Sequence, residues 1–223
     1  GREPHIRSPK SPLLIPALGA IDSRIRFPIP LTVWPDTGPR PGLQQKTGYP
    51  LILTARLAEK DIELFDRLRQ AHFPPDRNVL RAHLTMFHRL PGEVSGRIIE
   101  RLERVADGYG VVAAEVSGLR HLGGGVAYSV LSPPLQEIHA RLRAEFLTWL
   151  GPQDRQTWQP HITIQNKVST SKADALYHEL SQSFQAHSIQ ILGLDLWDYL
   201  GGPWRHAKFA PFHGIDQPAA ATP

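Results

Sequence analysis

His83-Leu84-Thr85-Met86 and His161-Ile162-Thr163-Ile164 are two copies of one pattern: His, apolar, Thr, apolar. The alternation has the two-residue period of a strand. In each copy the imidazole and the hydroxyl therefore project from one face, and the two apolar side chains enter a core. The chain has 11 His and is 41% apolar over 223 residues, and random placement yields roughly 0.08 such tetrapeptides. Two copies therefore call for a common reason. One copy alone reads as a half-buried strand His beside a hydrogen-bonded Thr. Two copies brought to one pocket supply two imidazoles and two hydroxyls. That set suffices for phosphoryl chemistry without a metal: one imidazole takes a proton, the other gives one, and the hydroxyls hold phosphate oxygens.

The paired motifs resemble the His-x-Thr-x signatures of the 2H phosphoesterase superfamily, whose members include 2′-5′ RNA ligase-like proteins and cyclic phosphodiesterases. The resemblance covers residues 48–213. It implies an α+β fold of two pseudo-symmetric lobes, each an antiparallel sheet with flanking helices, around a central cleft. His83 and His161 are then the catalytic acid–base pair, and Thr85 and Thr163 the phosphate-binding hydroxyls. The expected reaction is attack on a 2′-5′ or 2′,3′-cyclic phosphate linkage of a nucleotide or short RNA end. No metal or other cofactor is expected, because the histidines lack a helical His-x-x-x-His spacing and no acidic residues sit beside the motifs. The competing reading is a nucleotide- or RNA-end-binding module with the same cleft and no turnover. Intact His and Thr in both copies argue against it.

Further along the motif strands, strict alternation puts Phe87 and Arg89 on the face of His83, and Gln165 and Lys167 on the face of His161. All four are candidate substrate contacts, although Pro91 and Ser169 signal that the strands are ending. Aromatic rings can stack on a base or ribose. Tyr128 in the glycine-rich hairpin and Trp204 after Gly201–Gly202 are the candidates, with Trp158, Trp197 and Tyr199 behind them. The remaining histidines, His88, His121, His139, His178, His187, His206 and His213, show no paired metal spacing and read as surface or packing residues.

The length allows one large domain with a substantial core. No apolar run reaches 18 residues, so no membrane span is expected. Cys is absent, which removes disulfides, thiolate metal sites and a Cys nucleophile. A cytoplasmic monomer is the expectation. The run Leu13–Ile21 is broken by Pro16 and does not read as a signal peptide. Charge is uneven: residues 1–47 hold seven Lys/Arg against three Asp/Glu and nine of the 21 prolines, whereas residues 48–223 hold 18 of each sign. The first 47 residues thus read as a Pro-rich basic extension, 48–213 as the two-lobed domain, and 214–223 as a tail.

From residue 48 the punctuation predicts strands at 49–56, 82–87, 109–119, 125–131, 160–165, 188–196 and 204–211. Helices are expected at 58–70, 93–106, 133–150 and 171–184, the last capped by Ser169 or Thr170.

Overall fold

The computed structural model describes residues 48–213; the basic extension 1–47 and the tail 214–223 lie outside the described residues. Seven strands and four α-helices follow in the order expected from the sequence. They are β1 (Leu51–Leu57), α1 (Glu59–His72), β2 (Leu84–Leu90), α2 (Ser95–Ala106), β3 (Val112–His121), β4 (Val126–Leu131), α3 (Pro133–Phe146), β5 (His161–Gln165), α4 (Thr170–Ser183), β6 (His187–Tyr199) and β7 (Trp204–Pro211).

The helices end where local chemistry ends them. Glu59 and Asp61 sit in the first turn of α1 and Arg69 and His72 in its last, complementing the helix dipole. α2 buries Ile98, Leu102, Val105 and Ala106 on one stripe. Two prolines open α3 in its first turn, where no backbone donor is lost, and the Ser132 hydroxyl accepts from Leu135 N. Ser169 caps α4 by accepting from Lys172 N.

All strand pairs are antiparallel, giving the α+β class. The strands fall into two groups, β2-β1-β6-β7 and β5-β4-β3, with one motif strand at the edge of each. Two joints connect the groups. The long strand β6 belongs to both, since its Ile191 pairs with Leu57 of β1 and with Val112 of β3. The motif strands meet at a single residue pair, Leu84 opposite Ile162. Ladder bonding therefore runs from β1 through β2, β5, β4, β3 and β6 back to β1. The single bridge fixes how close the two motifs come, and it lies between each His and Thr.

The alternation holds across both motifs. Leu84, Met86, Ile162 and Ile164 are at most 1% exposed, and His83, Thr85, His161 and Thr163 stay half-buried on the opposite face.

Candidate active site

His83, Thr85, His161 and Thr163 wall one cavity of about 260 Å³, together with Ile52, His88, Asn166 and Trp204. Both histidines stand at the first turn into a strand, and each is locked the same way. His83 Nδ1 is 2.8 Å from the Arg81 carbonyl, and His161 Nδ1 is 2.7 Å from the Gln159 carbonyl, in both cases two residues back. A carbonyl only accepts, so Nδ1 carries the proton and Nε2 is left as the free nitrogen of the neutral ring. Burial pushes the His83 imidazole down to about 4. The Arg81 carbonyl works against that, while the charges of Arg69, His161 and His88 add to it. Burial also lowers His161, against the pull of the Gln159 carbonyl and with help from Arg120 and His88. Both rings are therefore neutral at pH 7 in the empty cavity.

Each motif strand is held by the other half of the fold. Trp158, just ahead of β5, donates its Nε1–H to the Thr85 carbonyl at 3.0 Å. Arg69 of α1 donates from Nη1 to the Thr163 carbonyl, also at 3.0 Å. Arg69 is 5% exposed and is further satisfied by Asn78 Oδ1 and the Leu80 carbonyl. Its guanidinium lies 3.9 Å from the centre of the Phe73 ring. Burial lowers it to about 10, with Asp66 opposing, so it remains a cation.

Beyond the threonines both strands depart from strict alternation. In β2 the pairing with β1 gains an extra residue between Thr85 and Phe87. In β5 the pairing with β4 gains one between Thr163 and Gln165. These are bulges at equivalent places, and a bulge turns the following side chains to the other face. Phe87 and Gln165 are consequently buried, Phe87 stacked 4.7 Å from His139 and edge-on to Phe146 at 5.5 Å. Neither is a substrate contact as alternation predicts. Arg89 is exposed and does not line the cavity; its backbone N–H serves Asp154. Lys167 is exposed in a left-handed turn at φ 62 that ends β5, also off the cavity wall. Tyr128 is a core residue, edge-on to Phe65 at 5.4 Å. Of the six candidate contacts, Trp204 lines the cavity, its ring 4.7 Å from that of His83.

The bulges bring different residues forward. His88 and Asn166, each five positions after a motif His, take the cavity-facing places. Sequence reasoning assigned His88 to the surface. The available signal was the polar residue at the fifth position of both copies, which has meaning only once the bulges are known. Asp154 fixes the first bulge: its carboxylate accepts from His88 N at 2.9 Å, His88 Nδ1 at 2.9 Å and Arg89 N at 3.0 Å. Burial alone raises that carboxyl, but these donors outweigh it and hold it below the usual carboxylate range.

A family model described as the 2′-5′ RNA ligase superfamily matches residues 57–203, more than half of the chain. No curated protein matches. Among solved structures, TT0787 of Thermus thermophilus superposes with a TM-score of 0.55 at 15% identity, covering 74% of this chain and 98% of that one, which shows a shared fold. E. coli LigT, solved with 3′-AMP, is also similar, at a TM-score of 0.49 and 18% identity over 74% of this chain and 99% of that one. The family match spans both His-x-Thr-x motifs and the strands that carry them, and the chain belongs to the 2′-5′ RNA ligase superfamily of 2H phosphoesterases.

Proposed function

We propose that this protein is a phosphoesterase that acts on a 2′-5′ or 2′,3′-cyclic phosphate linkage of a nucleotide or short RNA end, without a metal, by two-histidine acid–base catalysis. The supporting observation is the matched pair of imidazoles around one cavity, each with Nδ1–H bound to a backbone carbonyl and Nε2 free. In hydrolysis of a cyclic phosphate, one Nε2 takes a proton from water as the water oxygen bonds to phosphorus. The bond from phosphorus to a ribose oxygen breaks, and the other imidazole gives that oxygen its proton. The Thr85 and Thr163 hydroxyls donate to non-bridging oxygens as negative charge builds there.

His83 is pushed down to about 4 and suits the base. His161 then serves as the acid, and the phosphate anion bound between the rings favours its protonated form. Joining of ends uses the same groups in reverse. Trp204, beside His83, offers a face for the base or ribose.

The test is turnover of a panel of 2′,3′-cyclic nucleotides and 2′-5′-linked oligomers by the purified full chain with chelator present. Product formation supports the reading. Binding without product identifies the non-catalytic module instead, and activity lost on chelation and restored by a divalent cation excludes the metal-free mechanism.

A further inference from the structure

We propose that His88 is a third substrate-binding side chain of this site, an imidazolium held by Asp154 that takes a non-bridging oxygen of the phosphate lodged between His83 and His161. This rests on the phosphoesterase reading and adds to it how the anion is recognised. Among the described residues, no Lys or Arg lines the cavity. A phosphodiester carries one negative charge, and the two motif imidazoles are neutral in the empty site, so the wall needs a cation from elsewhere. His88 is the lining residue with a built-in reason to be one.

That reason is Asp154. Its side chain is 3% exposed and forms an ion pair with His88 at 2.9 Å. A buried carboxylate favours a charged partner strongly, because its own charge is otherwise uncompensated. The bond uses His88 Nδ1, which leaves Nε2 available to a ligand in the cavity. Because the bulge turns His88 toward the cavity and Asp154 binds both the bulge amides and the ring, backbone irregularity and ring orientation are one construction. The titratable and charged groups that face His88 are Asp154 from the loop before β5, His83 from its own strand, and His161 from β5. Asn166, Thr85, Thr163 and Trp204 complete the wall without charge. The three imidazoles are not spaced as a metal-ligand set; among the described residues no group of three or more His, Asp or Glu side chains is. Asp154 acts through His88 and is a positioning residue.

The ligand class is a phosphodiester monoanion bound more tightly as pH falls. The experiment is calorimetric binding, to the full chain, of a deoxyadenosine dinucleoside monophosphate. This probe lacks a 2′-hydroxyl, and its diester charge is constant over the range. At pH 5.5 the wild-type affinity should exceed that at pH 8.0 by about tenfold. His88→Gln, its fold confirmed by circular dichroism, should bind with the weaker affinity at both values. His88→Lys, a cation at both, should recover tighter binding at pH 8.0. Asp154→Asn should move the midpoint of the pH dependence to lower pH; a merely structural residue would weaken binding equally at both values. Wild-type-like, pH-dependent binding by His88→Gln overturns the inference, as does absence of wild-type binding at either pH. Turnover of the cyclic panel, measured in parallel, separates the two proposals. If the wild type turns over and His88→Gln keeps its KM, the inference alone fails. If the wild type produces nothing, the phosphoesterase reading fails by itself.

Discussion

A strand histidine that donates from Nδ1 to the carbonyl two residues back has one neutral tautomer open to it, so His83 and His161 enter the reaction with orientation and proton position already chosen. His83→Ala and His161→Ala should each lower kcat by about 10²–10⁴-fold with the fold intact, because each removes one proton-transfer partner. Near-wild-type turnover in either variant would end the two-histidine mechanism. Thr85→Val or Thr163→Val keeps the strand shape and removes one donor to the phosphate; a loss on the order of 10²-fold is expected. The pH profile carries the sign of the burial effect. Both imidazoles are shifted down, His83 to about 4, so the kcat/KM bell, which reports the free enzyme, should be centred below the ordinary imidazole value of about 6.5. The kcat bell should lie higher, since bound phosphate favours the protonated rings. A kcat/KM profile centred above 7 would contradict the desolvated site.

At the scale of elements, the motif strands work because the fold bends them after the threonines. Strand and helix identities were readable from sequence. Apolar spacing, Ser169 and the Pro133–Pro134 pair marked α2, α3 and α4, and the His-x-Thr alternation placed four of the eight cavity residues. The bulges were not readable, because an extra residue is decided by the partner strand and not by the bulged one. Alternation therefore pointed at Phe87 and Gln165 in place of His88 and Asn166, and Asp154, far along the chain, carried no local signal. The glycine-rich turn was read for its conformational freedom, and Gly123 does have φ +81. Gly125 serves another need: a Cβ there would lie 2.0 Å from the Gln165 carbonyl oxygen and 2.6 Å from Asn166 Cα. Gly125→Ala should push the end of β5 outward and displace Asn166, raising KM more than it lowers kcat. An unchanged KM would show that Asn166 does not meet substrate. Arg69→Met should cost about 3 kcal/mol or more in stability measured by urea unfolding, because it leaves the Thr163 and Leu80 carbonyls without their donor in a buried place.

For the whole molecule, the same burial that tunes the site makes the fold sensitive to acid. His83 and His139 are both held at about 4 by desolvation, and His139 lies between Phe87 at 4.7 Å and Trp158 at 4.2 Å. Unfolding releases each ring to its ordinary value, so the unfolded chain binds more protons between pH 6.5 and 4. Stability is full above 6.5 and should fall by about 1.4 kcal/mol per pH unit for each histidine on the way down. His139→Leu should flatten that slope by about half, as read from urea midpoints at pH 7 and pH 5. The charge of the chain makes a separate statement about substrate size. Residues 48–223 carry 18 basic and 18 acidic side chains, and the cavity, at about 260 Å³, lies at the small end of ligand sites. A protein that tracks a long backbone neutralises many phosphates and loses affinity steeply with salt. This cavity has room for one phosphate and its neighbours, so affinity for a short 2′,3′-cyclic RNA end should fall with salt at a log–log slope of about −0.7 to −1.4, one to two phosphate contacts on a single strand. The opposing term is the surplus of residues 1–47, seven Lys/Arg against three Asp/Glu. If the full chain shows a much steeper slope, and changing those seven basic residues to Gln returns it to the shallow value, then the extension holds a longer RNA while the two histidines work at its end.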